Sequence, residues 1–477
     1  MPSLSSKNIA FNSSFKPKNA WMAIFGLVVF TALFILAGVG SLLNFLFPLG
    51  AFIVGIFLYF RAPVIYVGFT WWLWFLTPLI RRLSDWRGSY TEPSPLLLAP
   101  FLVTLVTLVT VQKHLPNMKK QGGLAFVMAL AAILYGIVLG VIFRPIPKVV
   151  INGLDWLAPV VFGFHLFINW RDYPIYRRNI QKVFFWGVLI MGIYGIFQFI
   201  VSPPWDALWV IQADFISGLA GRPENIAPFT INVWSTMASN RPFSTVMVAG
   251  LMLLLINPDR SKLKIPATVV GFLSFLLARK RITWLSWLLA LLIHTGSLRQ
   301  KQQIRTIVSL LFLAICVAIA TSLPPFSDFI FSRFETFGDL DSDGSANARL
   351  EWFNLMIGDA STSFFGRGIG GDSHDSGILS TLFDIGWLGV IFYFGGILSI
   401  LLLISQEKGL FLDPFVSVAR AVAISVLVQL PLGRSHVEAQ GMILWGFLSM
   451  AMAARKYYRH YPEALFCNSK NSKLNSS

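Results

Sequence analysis

The chain has 477 residues, 55% of them hydrophobic and 13% charged, with a mean hydropathy of +0.67. Repeated apolar runs of near-spanning length argue against a soluble globular fold, and no alternating strand pattern suits a barrel. The net charge of +16 comes from Lys and Arg that mostly flank apolar segments, so it reads as membrane orientation and attraction to anionic headgroups, with no nucleic-acid module visible.

These features predict an all-α, polytopic membrane bundle. Residues 1–20 form a polar cytoplasmic leader with Lys7, Lys16 and Lys18, and no small-residue cleavage site follows the first apolar run. Spans are expected at 21–40, 42–60, 62–80, 96–112, 123–143, 152–169, 183–201, 243–256, 265–277, 282–296, 306–323, 378–404, 413–432 and 440–453. That gives about 14 crossings, within a range of about 12–14, with both termini and the polar tail 454–477 in the cytoplasm. The basic loops Lys113–Lys120 and Arg171–Lys182 then fall inside, as the positive-inside rule asks. Arg81, Arg82 and Arg87 fall outside, against it. Either an early span is miscounted or these arginines face an external anion. His165 sits within a span and is expected to be structural. Cys316 and Cys467 lie in a span and in the tail, too far apart in topology to pair.

Two external loops are long, 202–240 and 324–375, and loops of this length in a compact bundle tend to carry function. Between them lies Ala278-Arg279-Lys280-Arg281, flanked by apolar blocks of 13 and 12 residues. A full span needs about 20. Two short helices should therefore meet at this cluster, holding three cations close to the membrane core, a cost that points to function. The same face gathers Arg222, Arg241, Arg333, Arg349, Arg367 and Arg434, with His374, His436, Glu351, Asp372, Asp375 and Glu438. The planar guanidinium fork suits a phosphate held at low dielectric, so this set is read as a binding face for a lipid-linked phosphate or diphosphate. The competing reading is a set of headgroup contacts and helix-end snorkels. His374 follows the Gly-rich stretch Gly366–Gly371 and could serve as a general base toward a hydroxyl. His436, beside Arg434, is placed to complete the site. The stretch from Asp339 to Gly344 resembles a calcium loop, but Leu350 occupies the position of the bidentate Glu and Glu351 comes one place late. No HExxH, Cys pair or dense His/carboxylate group argues for a metal.

Ordered motifs extend this. RPFST (241–245), RITWLSW (281–287), SANARLEW (345–352), GRGIGG (366–371) and SHDSGILSTLFDIGWLG (373–389) together resemble the bacterial O-antigen polymerase and O-antigen ligase family, over roughly residues 230–450. The segment LDWLAPVVFGFHLFINWRDYP (154–174) is similar to the long polymerase members. The sequence departs from the family pattern in two places: Gly386 stands one position later relative to His374, and Asp375 replaces a common Asn or Ser. The resemblance implies a GT-C-like membrane glycosyltransferase, working at the outer face of the inner membrane on polyprenyl-diphosphate-linked glycans without cofactor or metal. Other membrane proteins of polysaccharide assembly would be its partners. Carried over by motif, Arg241, Arg281 and Arg349 would hold the donor diphosphate and His374 would deprotonate the acceptor. Arg279, Lys280, Arg434, His436, Asp375 and Glu351 would line the substrate. Polymerisation of repeat units is the leading expectation. A ligase moving finished glycan to a lipid or protein acceptor needs the same groups. A flippase for lipid-linked oligosaccharide would instead line a path through mid-membrane.

Overall fold

The computed structural model describes residues 17–118, 121–212, 227–256, 262–298, 300–322, 324, 326–335, 344–371 and 376–464. The described residues are helical, with turns and no strands. In chain order the helices are α1 (Pro17–Leu36), α2 (Leu43–Arg61), α3 (Pro63–Arg87), α4 (Ala99–Leu105), α5 (Leu108–His114), α6 (Leu124–Phe143), α7 (Ile146–Ile168), α8 (Tyr173–Val201) and α9 (Pro204–Gln212). They continue as α10 (Asn240–Ile256), α11 (Lys264–Leu277), α12 (Arg281–Gly296), α13 (Gln300–Thr321), α14 (Phe326–Glu335), α15 (Gly344–Thr362), α16 (Gly377–Gln406), α17 (Pro414–Leu427) and α18 (Glu438–His460). Nine helical segments among the described residues are long and apolar enough to cross a membrane, while α10 and α11 are shorter apolar helices. Large apolar side chains such as Phe25, Phe45, Phe143 and Leu292 stand outward and exposed, as expected of a surface solvated by lipid.

Local chemistry sets the helix ends. Pro63 and Pro414 stand at first-turn positions, where the missing N–H is no loss. Helix α8 stops at Ser202, whose left-handed backbone (φ +47°) leads into Pro203 and Pro204. Asp413 caps α17 by accepting from the Phe415 N–H at 3.0 Å, while its other oxygen accepts from Tyr173, Tyr458 and Arg177 at 2.7–2.8 Å. One carboxylate thus ties α8, α17 and α18 together.

Successive long helices run in opposite directions, so the loops segregate to two ends. At one end lie the Asp413 network, the contact of Lys456 with the Gln121 carbonyl (3.1 Å) and the pairing of Arg455 and Arg459 with Glu407. The other is a long-loop end, where α3, α6, α8, α11, α13 and α17 finish. The loops that the sequence marks as external at 202–240 and 324–375 are largely helical where described, forming α9, α14 and α15.

Arg81 and Arg82 belong to this long-loop end, and their role is structural. Arg81 bonds Glu92 at 2.5 Å and Asp85 at 3.3 Å. Arg82, fully buried, pairs with buried Asp206 of α9 at 3.1 Å and donates to the Ser235 carbonyl at 2.5 Å. Gln198 and Tyr194 donate to the same carboxylate at 2.7 and 3.0 Å. Trp209 and Trp234 flank the guanidinium at 5.7 and 5.9 Å. Burial pushes the Asp206 carboxyl up, and Arg82, Gln198 and Tyr194 pull it back down. Arg87 stacks on Trp86 at 4.3 Å. Arg81 and Arg82 are thus answered by internal partners, and the external-anion alternative for them is not needed. Arg82→Ala would leave Asp206 buried without its countercharge and should cost about 3–5 kcal/mol. Thermal unfolding in detergent should show this as a large drop in midpoint, with Arg82→Met/Asp206→Leu recovering most of it.

Candidate functional site

The long-loop end brings three basic segments together. Asn240, at the start of α10, donates to the Ala278 carbonyl at 3.3 Å, and the Val233 N–H donates to the Leu277 carbonyl at 3.1 Å. These bonds stitch the end of α11 to the start of α10. The chain then reverses through Arg279, which adopts a left-handed backbone (φ +54°) and lies over the Phe329 ring at 4.4 Å. Lys280 is extended, and Arg281 opens α12. The two helices that meet here have 14 and 16 residues, shorter than an ordinary span. Arg241, Arg279, Lys280 and Arg281 are all half-buried, so their charge is felt at reduced dielectric.

Arg434 joins them from the other side. A Cβ on Gly433 would overlap the Arg241 guanidinium, so Arg241 lies directly against the backbone beside Arg434. A buried amide–hydroxyl network holds the geometry below. Thr245 donates to Gln429 Oε1 (2.9 Å), Gln440 donates to Thr245 Oγ1 (2.7 Å), and Gln429 donates to Ser286 Oγ (3.1 Å). These bonds join α10, α12, α18 and the segment after α17 one or two turns beneath the arginines.

Arg434 also reaches α7 and α16. Its Nη1 donates to Asn152 Oδ1 at 3.1 Å, and its Nη2 stands 3.7 Å from Asp384. Asp155 and Glu438 complete this group, within electrostatic reach of each other and of Arg434. His436 is fully buried beneath it: its Nε2 lies 3.3 Å from Thr381 Oγ1, and its ring packs edge-on against Trp156 at 4.4 Å. It therefore supports the site from below, where the sequence placed it as a substrate contact.

The Gly-rich stretch does structural work. Helix α16 breaks at Gly386 (φ +61°). At this break the Arg367 N–H donates to the Phe383 carbonyl (2.6 Å) and the Gly368 N–H to the Asp384 carbonyl (3.1 Å). The Ile369 N–H donates to the Gly136 carbonyl of α6 at 2.9 Å. Gly366, Gly368 and Gly370 all have positive φ, and Gly368 lies on the Gly140 backbone so closely that a Cβ would overlap it. The loop thus replaces helix bonds that the kink removes and wedges α6 to α16. Its end, Gly371, lies beside Arg144, and Gly377 lies against the Gly433 carbonyl.

Of the remaining residues singled out from sequence, His374, Asp372 and Asp375 lie outside the described residues, as do Arg222 and the calcium-like acidic stretch before Gly344. Arg349 lies on α15, and only its backbone is described. Glu351, also on α15, is exposed and has no described contact with the arginine group. Arg367 donates from Nη2 to both carboxylate oxygens of Asp359, at 2.7 and 2.6 Å. His165 bonds Thr110 at 2.7 Å deep in the bundle, as a structural histidine should. Sequence reasoning missed Asp155, Asp384 and Arg144. The first two had a signal: they are carboxylates inside predominantly apolar spans.

No protein-family model and no curated protein matches this chain significantly.

Gly368→Ala should lower the unfolding midpoint by the equivalent of about 2 kcal/mol or more, because strain at φ +86° adds to overlap with Gly140. Gly26→Ala, where nothing lies within 4 Å of the added methyl, is the control and should leave the midpoint unchanged or slightly raised.

Proposed function

We propose that this protein is a membrane glycosyltransferase that polymerises lipid-linked oligosaccharide repeat units into an exported polysaccharide at the outer face of a bacterial inner membrane. In this reading the bundle makes about fourteen traverses, counting the broken α4–α5 segment once and including α10–α13 and α18, in a GT-C-like arrangement. The long-loop end then faces outward, and the end carrying Lys113, Arg177, Lys456 and Arg459 faces the cytoplasm. The single observation that carries the reading is the convergence of Arg241, Arg279–Arg281 and Arg434 at one end, half-buried and anchored from below. A diphosphate at the lipid interface is the ligand such a group suits best. The ordered motifs add the sugar chemistry.

Arg241 and Arg281 hold the donor diphosphate and stabilise the negative charge that grows on it as the glycosyl bond breaks. His374, assigned by motif resemblance, takes the proton from the acceptor hydroxyl. Attack in line with the departing diphosphate inverts the anomeric carbon. The growing glycan moves from its carrier onto a fresh lipid-linked unit. Transport is disfavoured because the described cations of this group gather at one end and do not line a path through the middle.

The test is a reconstituted assay. Purified protein in lipid receives polyprenyl-diphosphate-linked repeat units, and products are resolved by size. The expected result is a ladder that falls about 10²–10³-fold in Arg281→Ala or Arg241→Ala and about 10²–10⁴-fold in His374→Ala, with protein still in the membrane. A ladder at wild-type level from both arginine variants would contradict the assignment. A single transfer to a different acceptor, without a ladder, would mark a ligase.

A further inference from the structure

Asp155 lies nine residues into α7 from Ile146, about 13 Å along the axis. It is 7% exposed, and among the described residues it has no hydrogen bond and no ion pair. A carboxylate so placed, inside a helix long and apolar enough to cross a membrane, is costly unless something completes it. Its neighbours share the condition. Among the described residues, Arg434 Nε has no hydrogen-bond partner, and Nη2 has only the 3.7 Å approach to Asp384. His436 Nδ1 is also buried, without a hydrogen-bond partner among the described residues. Glu438 is exposed and holds a left-handed backbone (φ +52°) at the start of α18, a strain that recurs at binding sites.

The mixture of open donors and open acceptors identifies the chemistry. An anion would satisfy Arg434 and leave the carboxylates facing like charge. A metal would need ligands that converge, and among the described residues no three His, Cys, Asp or Glu side chains do so. Hydroxyl groups both donate and accept. A polyhydroxylated ring can donate to Asp155 and Glu438 and accept from Arg434 in one orientation. This group adjoins the arginine group through Gly433, where Arg241 lies against the backbone beside Arg434, so a sugar held here sits next to a phosphate held there.

We propose that Asp155, Glu438 and Arg434 form a sugar-binding subsite that grips the hydroxyls of a glycan unit beside the diphosphate. This deepens the polymerase reading and rests on it. Asp155 and Glu438 act as hydroxyl acceptors that position the ring. Arg434 is shared between sugar and diphosphate, which explains why it bonds Asn152 of α7 while lying beside Arg241.

The test separates sugar from diphosphate. Protein in lipid nanodiscs is titrated with two probes: undecaprenyl diphosphate without sugar, and the undecaprenyl-diphosphate-linked oligosaccharide extracted from the bacterium that makes this protein. Asp155→Asn preserves shape, and Glu438→Gln changes an exposed residue, so both should fold with unchanged thermal midpoints. The expected result is that each variant binds the sugar-free lipid within twofold of wild type and the sugar-bearing lipid at least tenfold more weakly. Arg281→Ala should weaken both probes. Equal affinity of the two carboxylate variants and wild type for the sugar-bearing lipid would overturn the subsite and leave the diphosphate reading standing. Failure of wild type to bind either probe would overturn both.

Discussion

A charge in a low-dielectric interior must be answered by a partner, and that constraint organises this structure. Where the partner is another side chain, the pair acts as a rivet. Arg82 with Asp206 fixes α9 to α3, and Asp413 draws Tyr173, Arg177 and Tyr458 into one knot. Buried pairs of this kind add little net stability against apolar substitutes, but breaking one is expensive. They therefore fix which elements meet. Where buried polar atoms have no hydrogen-bond partner among the described residues, as at Arg434 Nε and His436 Nδ1, the same constraint points outward to a ligand.

Backbone obeys the same accounting. The kink at Gly386 frees carbonyls in the middle of a long apolar helix, and in hydrocarbon those groups have no water to turn to. The Gly-rich loop supplies N–H groups to the Phe383 and Asp384 carbonyls and, in doing so, sets the end of α6 against α16. Irregular backbone is thus confined to where protein covers it. The broken helix also places Asp384 3.7 Å from Arg434, so the structural device and the polar group are one piece of architecture.

Much of this was legible in the sequence because membrane helices declare themselves by length and apolarity. The spans expected at 42–60, 123–143, 183–201 and 265–277 coincide closely with α2, α6, the second half of α8, and α11. The short helices around Arg279–Arg281 were readable for the same reason: cations interrupt the apolar run. What the sequence concealed was pairing. Nothing local says that Arg82 meets Asp206, more than a hundred positions away, so an ion pair looked like a possible anion site. Nor does periodicity show that His436 is buried while its neighbour Glu438 is exposed. The role of GRGIGG was half visible, since glycines announce close approach, but which backbone they approach is a tertiary fact.

The most direct measurement is a structure of the wild-type protein in lipid with bound undecaprenyl diphosphate. The account predicts density for the diphosphate at the long-loop end, within hydrogen-bond distance of Arg241 and Arg281 and adjacent to Gly433. A diphosphate bound instead at the opposite end, near Arg177 and Lys456, would contradict it.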